Sequence, residues 1–504
     1  MAHVPQARLF SWEDVESCSD LDRLSLALDY LPDDALMQAL EARRAKGRDD
    51  YPVQAMWNAV IAGVVFQHPS IASLRRELGR NPALMDRCGF EMLPVAKKPA
   101  VGTHVIPLDP YLGVPPDAAF SRFLANLIKL EAAGDYTKQM LASLRQSLSE
   151  VLPDFGRHLG FDGKAIESHS TGQKDRETSK TSDPDADWGH HKTSGIDANG
   201  KAWSKVKSWF GYGLHVIADT HYELPVAVVV TCASASESTT LRQMIGELFT
   251  EQPVLAQRCE DFSADRGLDA GETKALLWDT YRIRPLIDTR ELWRAEKQEP
   301  GFDPSSTITR PLFPDRADTL VHTEMGHVRC CCPQTGEVRD LVFQGFEADR
   351  DTLKYRCPAA YVGSACPGAE TCHAAGDVNP GAYGRIVRIK ITEQDRRIFV
   401  PTPHGSPSWH RGYNRRSALE RINNRIDNSF GFEHHFIRGM LLRPALFWTL
   451  RPELFRGETR RKSHAAAGRT GSGDRVGQAA YRGRGALGGK RRGCSGSYRF
   501  LWRS

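Results

Sequence analysis

Near Leu159 the hydrophobic pattern of this 504-residue chain changes period, and that change decides what class of fold the chain can adopt. Before it, apolar residues recur at helical intervals. "VQAMWNAVIAGVVF" is apolar on most sides, and "SIASLRREL" and "NPALMDRCGF" open on Ser70 and Asn81 as N-caps, the second with Pro82 in its first turn. "DAAFSRFLANLIKLEAAG" and "DYTKQMLASLRQSLSEVL" add two longer helices, so residues 1–150 are predicted to form a helical domain. After Leu159 come short apolar runs of strand length. "LGFDGKAI" is one, "YGLHVIADTHYELPVAVVVTCAS" holds two joined at His221 to Glu223, and "IRPLIDT" is a fourth.

Between these runs lie an amphipathic helix in "STTLRQMIGELF" and another near "AGETKALLWDTY". Strand, hairpin, helix, strand, helix, strand is the order of an α/β unit with a mixed central sheet. The polar text "STGQKDRETSKTSDPDADWGHHKTSGIDANGK" has no apolar period and is predicted to be a long loop. From about Leu292 to Val400 the chain reads as β-rich and cysteine-containing, with hairpins expected in "HVRCCCPQTGEVRDLVF" and "GRIVRIKITEQDRRIFV". A helix follows in "YNRRSALERINNRID", where Tyr413, Arg416, Glu420 and Asp427 share one face.

Charge is unevenly distributed. From Arg451 to Ser504 there are 14 Lys and Arg against 3 Asp and Glu, a surplus of +11, whereas the first 450 residues carry 53 against 59. This Gly/Arg-rich text from 448 to 504 is too poor in apolar residues to bury a core and is predicted to be disordered. It reads either as the product of a shifted reading frame or as a basic arm for phosphates. No eighteen-residue apolar run and no basic-then-apolar leader occurs, so a cytoplasmic protein with no membrane partner is expected.

Three carboxylates stand where an α/β sheet turns side chains towards one crevice: Asp162 in "FDGKAI", Asp265 in "SADRG" and Glu420 on the late helix. Three converging acids repel unless cations neutralise them, and hard oxygen ligands suit Mg²⁺ or Mn²⁺. Two such ions can activate a water or a 3′-hydroxyl and stabilise the leaving oxygen of an in-line phosphoryl displacement. Asp219, at a strand end, and Asp269, one turn after Asp265, compete for the same role, with strand and helix capping as the simpler account of each. Lys164 and His215 could touch DNA or be satisfied structural residues. For Arg75, Arg76, Arg80 and Arg87 an ordinary solvated helix face competes with DNA contact.

Taken in order and spacing, "FDGKAIESHSTG", "DADWG", "SWFGYGLHVIADTHYELPVAVVVTCASASES", "SADRGLDA" and "YNRRSALERINNRIDNSFGFEHHFIRG" resemble the catalytic domain of bacterial insertion-sequence transposases of the DDE class, the branch with a β-rich insertion before the final Glu. The resemblance runs from about Gly160 to Gly439. It implies a ribonuclease H-like fold whose acidic triad is Asp162, Asp265 and Glu420, a helical N-terminal region that binds DNA ends or dimerises, and a homodimer on double-stranded DNA. The implied domains are 1–150, the catalytic residues 151–291, the insertion 292–400, the final catalytic helix 401–447 and the tail 448–504. The implied function is cleavage of transposon ends and their joining to target DNA; the alternative is a catalytically silent, transposase-derived DNA-binding protein.

The same resemblance implies that Arg416 holds a phosphate near the cut and that Tyr413 contacts DNA, roles that suit a guanidinium fork and an aromatic face. Where the family carries a Lys seven residues after the Glu, this chain has Asp427; Arg421 or Arg425 could supply that cation. Eleven cysteines, five of them Cys330, Cys331, Cys332, Cys357 and Cys366, argue for thiols or a metal site over a disulfide framework. Cys330, Cys332, Cys357, Cys366 and Cys372 could give a structural Zn²⁺ its four soft ligands and so stabilise an insertion without a core of its own, although no Cys-x-x-Cys occurs. Buried or solvent-facing thiols are the alternative.

Overall fold

A computed structural model of the chain describes residues 18–44, 51–94, 108–172, 183–196, 202–297, 299, 303, 306–315, 318–375 and 384–431. The basic tail and the "HHFIRG" segment lie outside the described residues. Five helices open the described chain: α1 (Asp20–Tyr30), α2 (Asp34–Arg44), α3 (Val53–Val65), α4 (Ile71–Arg80) and α5 (Pro82–Cys88). Their ends follow local chemistry. Ser70 Oγ accepts from the Ser73 N–H at 3.1 Å and Asn81 Oδ1 from the Leu84 N–H at 3.2 Å, satisfying donors that the first turn of a helix leaves over. α3 is buried nearly all round, as its apolar text requires. α6 (Asp117–Gly134) and α7 (Tyr136–Val151) lead into the sheet.

The central sheet is built from β1 (His158–Glu167), β2 (Asp187–Ile196), β3 (Ala202–Asp219), β4 (Leu224–Cys232), β5 (Asp261–Ala264) and β6 (Arg284–Ile287). Its order is β2-β3-β1-β5-β6, with β4 against the second half of β3. β3 runs antiparallel to β1, β2 and β4, while β1, β5 and β6 are parallel. α8 (Glu237–Glu251) covers one face through Leu241, Met244, Ile245 and Leu248, which share a buried cluster with Phe161, Ile217 and Phe262. On the opposite face Tyr212, Leu214 and Val216 join a single apolar cluster with the buried side chains of α1 to α7 and with Leu419, Ile422 and Ile426 of the late helix. The N-terminal helices and the central sheet therefore share a core.

The β-rich segment holds β7 (Arg310–Pro311), β8 (Leu320–His322), β9 (Val328–Cys331) and β10 (Val338–Asp340) in one sheet, and β11 (Val342–Glu347), β12 (Thr352–Arg356) and β13 (Ile386–Lys390) in another. Trp293, Leu320, Val328, Leu353, Tyr355, Val387, Ile389 and Phe399 form its own buried cluster. The premise that the insertion lacks a core is therefore wrong, and so is the need for a metal to supply one.

Three local expectations also fail, each because a tertiary partner overrides local text. Part of the expected polar loop is the strand β2, which pairs with β3 from Asp187 opposite Gly211 to Ile196 opposite Ala202. The hairpin expected in "GRIVRIKITEQDRRIFV" is instead one strand, β13, whose partner is the distant β12, followed by a short 3₁₀ turn at Ile391–Glu393. The single late helix is two, α9 (Pro407–Asn414) and α10 (Ser417–Asn428), meeting at Arg415 and Arg416. There the Arg415 guanidinium leaves the helix face to reach Asp261 Oδ2 at 2.8 Å. Among the described residues no helix is long and apolar enough to cross a membrane.

Candidate active site

Strand register brings two of the acids together and α10 supplies the third. In the parallel pair β1–β5, Phe161 lies opposite Ala264, so Asp162 and Asp265, each the next residue, occupy neighbouring positions. α10 crosses β1 closely because Gly160 has no side chain. A Cβ there would come within 3.0 Å of Leu419 Cδ1 and 2.8 Å of Ser263 Oγ. Leu419 is buried in this contact, which leaves the next residue, Glu420, exposed at the rim beside the two aspartates.

The electrostatics reflect the convergence. Burial, reinforced by the charges of Asp265 and Glu420, pushes the Asp162 carboxyl up to about 6, against the pull of Arg416 and a hydrogen bond from the Gly163 N–H. Arg416 faces all three acids. Burial lowers its pKa, yet Tyr413, Asp265, Glu420 and Asp162 together raise it above its ordinary value. Its Nη2 donates to Glu420 Oε1 at 2.9 Å. Tyr413 stacks on Trp409 with ring centroids 4.6 Å apart, and the Arg416 guanidinium lies over the Tyr413 ring at 5.8 Å. Arg421 Nε donates to Glu223 Oε1 at 2.6 Å, and Arg425 pairs with the other oxygen of the same carboxylate.

Two side chains at this site carried no expectation. Asn423 Nδ2 donates to Asp162 Oδ2 at 2.7 Å. It stands three residues after Glu420, so the helical spacing that joins Glu420 to Asp427 also points to it. Glu237, the first residue of α8, fills the space left by the missing side chain of Gly163. Its pKa is raised by withdrawal from water and then by the charges of Asp162 and Asp265. Asp427, at the position where a lysine was expected, is ion-paired with Lys164. Lys164 lies two residues after Asp162 on β1 and hence on the same strand face.

The competing acids have structural occupations. Asp219 is fully buried and accepts from the N–H groups of Gly156, His221 and Tyr222 at 2.6, 2.8 and 2.8 Å, closing the turn between β3 and β4. Asp269 pairs with the buried Lys274 at 2.7 Å and accepts from the Arg290 N–H. His215 is held neutral, burial pushing it down to about 4, with Nε2 2.9 Å from Thr231 Oγ1. Of the N-terminal arginines, Arg75 pairs with Asp117, Arg80 with Glu77 and Arg87 with Asp29.

In the insertion, Cys330, Cys357, Cys366 and Cys372 line one small cavity, and burial with the other three thiols pushes Cys330 up to about 11. Cys332 lies outside that lining, against Gly368. Among the described residues no group of three or more His, Cys, Asp or Glu side chains stands arranged around one metal position, in the insertion or at the carboxylates. In kind, the three carboxylates fit a hard divalent cation, since they are oxygen donors whose mutual repulsion is only partly answered by one arginine. As the side chains stand, Asn423 holds Asp162 and Arg416 holds Glu420.

Compared with known families, residues 154–299 match the family described as the transposase DDE domain. The matched span contains Asp162 and Asp265 and stops short of Glu420. No curated protein matches the chain.

Proposed function

We propose that this chain, a member of the DDE class of insertion-sequence transposases, binds the inverted ends of its own element, cleaves them and joins them to target DNA. The observation that carries the reading is the meeting of Asp162 on β1, Asp265 just after β5 and Glu420 on α10 around one arginine. The strand order, with three antiparallel strands on one side of β1 and two parallel ones on the other, supports a ribonuclease H-like reading of the sheet. Mg²⁺ or Mn²⁺ held by Asp162, Asp265 and Glu420 would activate the attacking water or 3′-hydroxyl and stabilise the leaving oxygen.

The chain's own residues position the substrate. Arg416 presents a planar fork suited to a phosphate, and its present partner Glu420 must exchange that contact for its place in the triad. Tyr413, held flat against Trp409, offers a ring edge and hydroxyl to the DNA end. Asn423 fixes the rotamer of Asp162. The reading is tested by incubating the protein with the DNA that flanks its own gene and Mg²⁺. Specific cleavage at the element ends supports it, and end binding without cleavage by the wild-type protein refutes it. That second result would favour a catalytically silent DNA-binding descendant, the reading to which the Arg416–Glu420 contact lends itself.

A further inference from the structure

β3 is 18 residues long, and only half of it belongs to the main sheet. The pairing of β1 with β3 ends at Glu167 opposite Gly211, and that of β4 at Cys232 opposite Tyr212. Beyond Gly211, β3 is paired with β2 alone, so residues 187–196 and 202–210 leave the sheet as a two-stranded ribbon. His190 to Thr193 and Trp203 to Ser208 are exposed.

Residues opposite each other in an antiparallel pair share a face. The register puts Gly189 with Trp209, His191 with Lys207 and Thr193 with Lys205, with Trp203 next along that face. One side of the ribbon thus carries Trp209, His191, Lys207, Lys205 and Trp203 in sequence, cations between two indoles. From Trp188 onwards, no described residue of the ribbon is acidic. At the base of this face His191 lies close enough to Glu237 to lower its pKa, and Glu237 in turn responds to Asp162 and Asp265.

We propose that this face of the β2–β3 ribbon is a docking surface for double-stranded DNA. The inference rests on the transposase reading and names the element that holds the substrate. The charge is complementary to DNA, and a two-stranded ribbon fits the major groove, which is about 12 Å wide. Lys205 and Lys207 supply phosphate contacts. Trp203 and Trp209 frame them, with Trp209 anchored by its Nε1 donating to the Tyr212 carbonyl at 3.1 Å.

The experiment compares the full-length wild type with Lys205→Ala/Lys207→Ala on a duplex carrying the flanking end, measuring affinity across a salt series. Loss of two phosphate contacts should flatten the slope of log affinity against log salt by about 1.8, at roughly 0.9 per contact. Thermal melting should be unchanged because both side chains are exposed. A charge-reversed pair, Lys205→Glu/Lys207→Glu, should weaken binding further. An unchanged slope in both pairs, with the wild type binding and cutting, overturns the ribbon assignment alone. An unchanged slope with a shift in oligomeric state overturns it in favour of a second copy of the chain. A wild type that neither binds nor cuts brings down the transposase reading itself.

Discussion

Two aspartates of this chain, Asp162 in the sheet and Asp318 in the insertion, are withdrawn from water and treated in opposite ways. Asp318 meets Arg385 through both carboxylate oxygens at 2.8 and 2.7 Å, in a pair whose side chains are 1% and 4% exposed. Thr319 Oγ1 and the Cys372 carbonyl accept further bonds from the same guanidinium. Its charge is answered within the fold. Asp162 instead receives a neutral amide from Asn423 and has two further carboxylates as neighbours. Where a buried charge serves the architecture the chain completes it; around Asp162 the repulsion between carboxylates is only partly answered, by Arg416.

Substitution should separate the two designs. The largest effect is expected on catalysis. Asp162→Asn, Asp265→Asn or Glu420→Gln should each reduce end cleavage below a tenth of wild type while end binding persists, and the metal-free protein should melt at the same temperature or higher because repulsion is relieved. A variant that keeps a tenth of the activity or more removes that residue from the triad. Arg385→Ala should do the reverse. It strands the Asp318 charge in the insertion and should cost about 3–5 kcal/mol in denaturant unfolding. Activity of the remaining folded fraction should be normal at low temperature. If Arg385→Ala impairs cleavage without loss of stability, the insertion takes part in chemistry and the contrast breaks.

A smaller effect is expected at Asn423. A hydrogen bond to a carboxylate contributes about 1.5–3 kcal/mol. If it orients Asp162 in the reacting complex, Asn423→Ala should lower kcat by at least about tenfold with little change in KM. Asn423→Asp should be worse, since it adds a fourth acid to the group. An equal rise in KM instead would move Asn423 to a substrate contact.

Sequence patterns carried the parts of this architecture that obey local rules. Phe161, Ile166, Val216 and Val226 are buried at the strands where apolar runs put them, and Ser70 and Asn81 cap the helices they precede. β2 escaped because both faces of the ribbon are solvated, so its strand period has no apolar residues to mark it. At the break between α9 and α10 Arg415 reaches Asp261, 154 positions away, a contact that no local text encodes. Local text makes β13 half of a hairpin, whereas its partner β12 lies across a separate segment of chain. At the site, the order of the motifs pointed to Asp162, Asp265 and Glu420, which the fold brings near one another, and Asn423 was within reach of helical spacing. Glu237 was not, because a Glu after Ser236 reads as an ordinary helix start, and only its packing against Gly163 reveals its neighbours.

The smallest effect distinguishes architecture from DNA contact at the remaining arginines of α10. Arg421 and Arg425 share Glu223, a residue in the left-handed region (φ 59°) of the turn between β3 and β4. Arg421 has a side chain about half exposed, at 51%, whereas Arg425 is 15% exposed, so only the former is free to serve a phosphate without leaving the fold. Arg421→Ala should change stability by less than about 1 kcal/mol, as exposed pairs do, and reduce the salt slope of DNA binding by about 0.9. Glu223→Ala supplies the converse. If Glu223 restrains a DNA-binding cation, removing it should tighten non-specific binding, while loss of its pair with the largely buried Arg425 lowers the melting temperature. Lower stability with unchanged affinity would make both arginines struts between α10 and the β3–β4 turn, on the side of Arg385 in the comparison and not of Arg416.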